Sequence, residues 1–406
     1  MSFFAKIPTV LTDDAKIREL LTRGVERIYP SAESLEKELR SGRRLSLYLG
    51  IDPTGPSLHI GHIIPLLKLR QFQELGHRVI LLIGDFTGMI GDPTDKSAAR
   101  KRLTRREVLD NARLYKEQAG HLISFEGKNP AELKYNSEWL GKLSFEDSFE
   151  ISSNLTYTQL VKRDMFQKRI EEGRELYMHE FLYPLMQGYD SVAMGVDGEV
   201  GGNDQTFNML VGRDLMKKIK NKEKVVLATK LLTDSAGAKM GKTEGNMVAL
   251  SVAPADMFGK LMRWPDSMIL SGLELCTIVP RAEIESVRKQ LETGENPKDS
   301  KMKLAEAVVA LLHGEAEAKK ARASFDAAFT EGKPEEFVEI SVSDAVSIAD
   351  ALVEKKIVKS KSDLRRLIGE GAITNSETGA KMGEEFLTSA PAGKYRIGKH
   401  RFIRIH

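Results

Sequence analysis

Residues 44–88 read RLSLYLGIDPTGPSLHIGHIIPLLKLRQFQELGHRVILLIGDFTG, and this stretch decides the fold of the 406-residue chain. Its opening, RLSLYLGIDP, alternates apolar and polar side chains and then meets Gly50 and Pro53, the pattern of a strand ending in a loop. Its close, HRVILLIGDFTG, reads as a second, fully apolar strand. Between them Ile60, Ile63, Ile64, Leu67, Phe72 and Leu75 recur at helical spacing, and Gly76 supplies a stop. Strand, helix and strand make a βαβ unit. Pro65 is tolerated only where the first N–H groups of a helix lack partners, so the helix is expected to start near Leu58 to His62.

Working outward, LYMHEFLYPLMQGYDSVAM is helical, DGEVGGNDQ reads as a glycine-rich turn leading into the helical TFNMLVGRDLMKKI, and KVVLATKLL is another strand. Strands alternating with helices predict an α/β fold with a parallel sheet covered on both faces. After DSAGAKMGKTEGN the strand signal fades, and PRAEIESVRKQLE and SKMKLAEAVVALLHGEAEAKKARASFDAAF read as helices. TEGKPEEFVEIS, with Gly332 and Pro334, reads as a linker. The net charge is only +3, but from Ser341 on there are twelve basic and eight acidic side chains, so the positive excess gathers in the tail. Cys276 is the single cysteine, which excludes an internal disulfide or a multi-cysteine metal site and suits the reducing cytosol. The amino end turns acidic early and no apolar run approaches the ~18 residues of a membrane span, so a cytoplasmic protein without membrane contact is expected.

His59 and His62 share one helix face at an amino terminus, where free N–H groups and the helix dipole favour an anion. Gly61 leaves bare backbone against which a flat ring can lie. Imidazole N–H groups suit phosphate oxygens whose charge grows in a transition state. The pair alone also reads as two surface histidines; a zinc site would need further ligands, and no HExxH occurs. In KMGKTEGN, Lys239 and Lys242 lie among Gly237, Gly241 and Gly245, a loop able to grip a triphosphate or simply a solvated turn. In DFTGMIGDPTDKSAAR, Thr87 and Asp92 can reach an amino acid and Lys96 and Arg100 a phosphate, unless the stretch is only a turn before a charged helix. Tyr183, Gln187 and Asp190 fall on one helix face, either its wet side or, beside Leu182, Leu185, Met186 and Tyr189, the polar stripe of a pocket. In VGGNDQ, Gly201 and Gly202 let backbone approach a sugar, Asp204 can accept from hydroxyls and Gln205 can donate to a carboxylate; a helix cap at Asn203 explains the same letters.

Taken whole, YLGIDPTGPSLHIGHIIPL resembles the HIGH signature of class I aminoacyl-tRNA synthetases in the form found in bacterial-type tyrosyl-tRNA synthetases. LLIGDFTGMIGDPTDKSAAR, EFLYPLMQGYD, VGGNDQTFN and KMGKTEGN follow in that family's order, the last departing from KMSKS at Gly241 and Thr243 while keeping its lysine spacing. The resemblance implies a Rossmann-like catalytic domain over residues 1–230 and a KMSKS-type loop with a helical anticodon-binding domain over 231–330. It further implies a linker at 331–341 and a small α+β domain like that of ribosomal protein S4 over 342–406. The implied substrates are tyrosine, ATP with Mg²⁺, and tRNA(Tyr), handled by a homodimer without a protein-bound metal or prosthetic group. By resemblance Thr54, His59, Lys96, Arg100, Lys239 and Lys242 handle the phosphates, and His62, also in the catalytic set, lies beside the ATP sugar or ring. Tyr48 and Asp190 would bind the phenol, Asp92, Tyr183 and Gln187 the ammonium group, with Thr87 and Gln205 also on the tyrosine. Gly50, Asp52, Gly61, Gly202, Asp204 and Met240 would line the ATP and adenylate site.

The tail from residue 347 resembles the S4 RNA-binding module: KSKSDLRRLI is expected as a helix carrying Lys361, Arg365 and Arg366, and KYRIGKHRFIRI as paired strands with Lys399 and Arg401 about the turn. Such cations contact phosphates and supply affinity more than sequence choice. A tryptophanyl-tRNA synthetase-like enzyme would share the fold but has no need of Tyr48 and Asp190. A non-catalytic RNA-binding paralogue would not need His59, His62, Lys239 and Lys242, and a nucleotidyl transferase making another acyl-adenylate would not need the later domains.

Overall fold

The structure, a computed structural model, describes residues 8–94, 102–233, 247–327, 337–340, 347–355, 357–358, 360–388, 390–398 and 401–406. It divides into two compact units, Met1–Glu315 and Ala316–His406. The first is built on a six-stranded sheet of β1 (Val25–Tyr29), β2 (Ser46–Ile51), β3 (Arg78–Ile83), β4 (Glu132–Tyr135), β5 (Gly198–Gly202) and β6 (Val225–Thr229), in the order β1-β6-β5-β2-β3-β4. All neighbours run parallel except β1, which pairs antiparallel with β6 at one edge. At the other edge β4 is short and charged, with Arg78 donating to both carboxylate oxygens of Glu132 at 2.6 and 2.7 Å.

The βαβ unit read from residues 44–88 is β2, a 3₁₀ turn at Ile60–His62, the helix Ile63–Glu74, and β3. Pro65 is the third residue of that helix, where its missing N–H costs nothing. The helix buries Ile63, Ile64, Leu66, Leu69 and Phe72, and Gly76 ends it at φ +87°. No side chain fits at Gly76, because a Cβ would stand 2.3 Å from the Thr9 carbonyl oxygen.

DGEVGGNDQ departs from the expected turn. Its residues Gly198–Gly202 are β5, an interior strand between β2 and β6. The glycines serve close packing: a Cβ at Gly198 would meet the Leu47 side chain at 3.1 Å, and one at Gly201 the Met209 sulfur at 2.9 Å. The helices Met178–Met194 and Thr206–Lys220 flank this strand and touch at Gly188 and Gly212, where a Cβ on Gly188 would lie 3.1 Å from the Gly212 nitrogen.

The helices Pro254–Met262, Ile269–Cys276, Arg281–Glu292 and Pro297–His313 complete the first unit. Arg23, just before β1, fastens the helix Ile269–Cys276 by donating to the carbonyls of Leu273, Glu274, Thr277 and Val279, at its carboxyl end and just beyond. Gly314, at φ +89°, breaks the long helical stretch that follows into Pro297–His313 and Glu315–Asp326.

The second unit carries a four-stranded sheet, β7 (Val338–Ile340), β8 (Ile373–Asn375), β9 (Gly393–Ile397) and β10 (Arg401–Ile405), in the order β7-β10-β9-β8. Its helices Ile348–Glu354 and Lys361–Gly369 bury Leu352, Leu364 and Leu367 with Ile340, Tyr395 and Ile403 in one core. The stretch read as a linker is thus corrected at its end: Val338 and Ile340 pair in parallel with Ile403 and Ile405, and Ile340 is drawn into that core. No helix among the described residues is long and apolar enough to cross a membrane.

Candidate active site

The parallel strands β2, β3, β4 and β5 deliver Asp52, Gly84 to Thr87, Asn136 and Gly202 to the same side, beyond their carboxyl ends, where ligands of open α/β sheets bind. Asp52 joins them. Its Oδ1 accepts from the Thr87 hydroxyl at 2.6 Å and its Oδ2 from the Tyr183 hydroxyl at 2.8 Å. Gly84 has to be glycine here, since a Cβ would stand 2.0 Å from Asp52 Oδ1. Asn136 Nδ2 donates to Thr87 Oγ1 at 2.9 Å while its Oδ1 accepts the Phe86 N–H at 2.9 Å, so the residue after β4 locks the loop after β3.

Tyr48, Asp190 and their neighbours form one end of the cleft. The Tyr48 hydroxyl lies 3.0 Å from Ser191 Oγ, next in sequence to Asp190. Asp190 is buried and accepts from Trp139 Nε1 at 2.7 Å and Asn136 Nδ2 at 3.3 Å. Burial pushes its carboxyl well above the usual range, against the opposing pull of those two donors. Burial, and then the carboxylates of Glu199 and Asp190, likewise hold the Tyr48 proton in place. Gly50, by contrast, is exposed in the middle of β2. A Cβ there would touch Tyr48 at 3.8 Å and Leu82 at 3.9 Å, so bare backbone lies open beside Tyr48.

Acceptors gather farther along. Gln187 Nε2 donates to Glu199 Oε1 at 3.1 Å, and the buried Gln187 Oε1 has no hydrogen-bond partner. Asp92 accepts from Thr94 Oγ1 at 2.7 Å and from Gln205 Nε2 at 2.6 Å. Burial first, then the charges of Asp52 and Asp92, raise the Tyr183 hydroxyl well above its ordinary value. A buried open acceptor among carboxylates suits an ammonium group. Gly202 and Asp204 adjoin: a Cβ on Gly202 would lie 2.4 Å from Asp204 Oδ1.

His59 and His62 stand at the head of helix Ile63–Glu74, as their spacing predicts, with ring centroids 3.9 Å apart. They cap the 3₁₀ turn reciprocally: Gly61 N–H donates to His59 Nδ1 at 3.2 Å and His59 N–H to His62 Nδ1 at 3.1 Å. Thr54 lies in the turn after β2, its N–H donating to the Asp52 carbonyl at 2.8 Å. The segment bearing the histidines pairs with the chain after Asn246, through Ile60 N–H to the Val248 carbonyl and Leu250 N–H to the Leu58 carbonyl, each 2.9 Å. Lys96, Arg100, Lys239, Met240, Lys242 and Lys399 lie outside the described residues. No group of three or more His, Cys, Asp or Glu able to hold a metal ion occurs among the described residues.

In the second unit Lys361 and Arg365 lie on helix Lys361–Gly369, Lys361 paired with Asp350 at 2.6 Å and Arg365 exposed. Arg366 pairs with Asp363 and Glu370, at 2.8 and 2.7 Å, and Arg401 turns back to donate to the Ile357 carbonyl. The sequence reading missed Gly84, Asn136, Trp139, Ser191, Glu199 and Lys224. The one local signal was a lysine opening an otherwise apolar strand at Lys224.

The sequence model of the tRNA synthetases class I (W and Y) matches residues 40–330, and the chain belongs to that family. Within it, the chain is 42% identical over 390 residues to tyrosine–tRNA ligase 2 of Vibrio cholerae, a match covering 95% of this chain and 97% of the relative. It is 40% identical over 406 residues to the tyrosine–tRNA ligase of Moorella thermoacetica, covering 97% and 96%. Among solved structures, it resembles a C-terminally truncated mitochondrial tyrosyl-tRNA synthetase of Coccidioides posadasii with TM-score 0.64 and 26% identity, over 77% of this chain and 92% of that one. The fold is shared with tyrosyl-tRNA synthetase of Archaeoglobus fulgidus complexed with L-tyrosine, TM-score 0.60 at 23% identity, over 76% and 99%.

Proposed function

We propose that this chain is a tyrosine–tRNA ligase that activates L-tyrosine with ATP to tyrosyl-adenylate and pyrophosphate, then transfers the tyrosyl group to the 3′ end of tRNA(Tyr). The observation that supports the substrate is a set of buried polar groups: Tyr48, against the bare backbone of Gly50, bonds Ser191 next to Asp190, and the open acceptor Gln187 Oε1 lies on the same helix as Asp190. A tyrosine ring over Gly50 places its phenol between Tyr48 and Asp190 and its ammonium among Gln187, Tyr183 and Asp92; Thr87 and Gln205 hold that shape through Asp52 and Asp92. A phenylalanine would leave buried polar groups unpaired, a penalty known in tyrosyl-tRNA synthetases to reach about 10⁵ in specificity.

Activation needs no protein nucleophile. The tyrosine carboxylate attacks the α-phosphorus of ATP and pyrophosphate leaves, so the protein's part is positioning and charge stabilisation. His59, at the head of a helix, and Thr54 act on the triphosphate, Asp52 lies near the adenylate, and His62, Gly61, Gly202 and Asp204 lie at the sugar and base. Lys96, Arg100, Lys239 and Lys242 complete the phosphate set, with Met240 beside the nucleotide, and Mg²⁺ arrives with ATP as part of the substrate. The helical residues 231–330 and the S4-like residues 342–406 contact tRNA, the latter with Lys361, Arg365, Arg366, Lys399 and Arg401. The exposed, mutually packed Phe145 and Phe149, centroids 4.7 Å apart, support a homodimer. The protein works in the cytoplasm.

Pyrophosphate exchange into ATP, compared across tyrosine, phenylalanine and tryptophan, tests this reading. Exchange with tyrosine alone is expected. Exchange with tryptophan alone would move the chain to the other branch of its family, and none at all would leave an RNA-binding protein.

A further inference from the structure

Lys224 has no part in the reaction above, yet it is 0% exposed behind the phenol end of the cleft. Its ammonium donates to Ser191 Oγ at 2.8 Å, pairs with Glu199 Oε2, and lies 5.8 Å from the centroid of the Tyr48 ring. The helix Thr206–Lys220 leaves room for it at Gly212, where a Cβ would stand 2.6 Å from Lys224 Nζ. A buried ion pair gains little over an apolar filling of the same space, so its use lies in what it orients.

Between Ser191 Oγ and the Tyr48 hydroxyl either oxygen could be the donor. Lys224 decides which. An ammonium only donates, so Ser191 Oγ accepts from it. Among the described residues Ser191 Oγ has no other partner than Lys224 and Tyr48, so its own buried proton has one acceptor, the Tyr48 oxygen. Glu199, which also faces Tyr48, is engaged through Oε2 by Lys224 and through Oε1 by Gln187. With Ser191 donating to it, the Tyr48 hydroxyl can give its proton only to Glu199, which Lys224 and Gln187 already share, or to an acceptor in the cleft.

We infer that Lys224 is a positioning residue for substrate choice: it orients the hydroxyls of Ser191 and Tyr48 so that Tyr48 donates to the phenol oxygen of tyrosine, whose own proton goes to Asp190. Each hydroxyl donates once and accepts once, from the ammonium at one end to the carboxyl group at the other. This rests on the placement of the phenol between Tyr48 and Asp190.

The test is pyrophosphate-exchange kinetics on the full chain with Ser191→Ala, Lys224→Met, Lys224→Gln and Asp190→Asn. Ser191→Ala is expected to raise KM for tyrosine and to lower the tyrosine-to-phenylalanine ratio of kcat/KM, each by about tenfold, with KM for ATP unchanged. Lys224→Met should exceed that, and Lys224→Gln, whose amide has two N–H donors for Ser191 and Glu199, should recover most of it. If Tyr48 instead donates to Ser191, Ser191→Ala frees the Tyr48 proton, and an unchanged or lower KM for tyrosine overturns the inference. So does a Lys224→Met enzyme in which KM for tyrosine and ATP rise together, the mark of a merely structural lysine. Should Lys224→Met not fold, Ser191→Ala decides alone. Discrimination lost in Asp190→Asn but kept in Ser191→Ala defeats the hydroxyl chain only; kept in both, it defeats the phenol placement as well.

Discussion

The two ends of the parallel sheet both carry buried polar networks, and they are wired differently. At the amino ends, beside peripheral pairs such as Asp197 with Arg43 and Lys222, the inward side chains bind backbone: Asp197 Oδ2 accepts the Ser46 N–H at 2.8 Å, Asn129 Nδ2 donates to the His77 carbonyl at 2.9 Å, and Gln73 Nε2 to the Ser124 carbonyl at 2.6 Å. At the carboxyl ends, side chains bind side chains: Asp52 with Thr87 and Tyr183, Gln187 with Glu199, Asp92 with Gln205. A bond to backbone fixes the path of the chain. A bond between two side chains can be exchanged for a bond to a ligand without moving the chain, so the second network holds a site and the first holds a fold.

That contrast can be broken by substitution at either end. His59→Ala, at the carboxyl end, is expected to lower the rate of pyrophosphate exchange by about 10²–10³ while KM for tyrosine stays put, as for other groups that meet charge only in the transition state. An equal loss in both would remove His59 from the phosphates. Asp190→Asn should cost about tenfold to a hundredfold in kcat/KM for tyrosine and little for phenylalanine, read in the same assay. Thermal unfolding of both variants should match the wild type within a few degrees.

Asp197→Ala should do the reverse. Asp197 is half-buried, which raises its carboxyl, but Arg43, Lys222 and the Ser46 N–H outweigh burial and hold it below its usual range. Its loss should cost about 2–3 kcal/mol in urea denaturation with kinetic constants intact. A changed KM would blur the distinction between the ends.

His77 gives a pH signature. Burial, then Arg44 and Arg43, pull its imidazole down from 6.5 to about 4, and its Nδ1 accepts the Leu45 N–H. Between those values the unfolded chain binds the proton that the folded chain refuses, so stability is whole above pH 6.5 and falls as pH drops towards 4. His77→Gln should flatten that slope, worth about 3 kcal/mol, in stability measured across the window.

The βαβ unit, the paired histidines and the stripe of Tyr183, Gln187 and Asp190 were readable because each is written in local spacing. β5 was not, because five glycine-rich letters become a strand only when β2 and β6 close on both sides. Asn136 and Trp139 were hidden for a related reason: their partners lie some fifty residues away, at Phe86, Thr87 and Asp190, and β4, which brings them there, has too little apolar character to announce a strand. Tyr48 and Asp190 could be named from resemblance, but Ser191, Glu199 and Lys224, which hold them, follow from sheet order alone.

β4 also bears on how the molecule lives among its own copies. An open sheet edge offers unpaired N–H and carbonyl groups to any extended strand that drifts past. β4 answers with only four residues, and Glu132 and Lys134 among them carry opposite charges. Neutralising both would invite strand addition between molecules, and turbidity rising with concentration would precede any loss of turnover per folded enzyme.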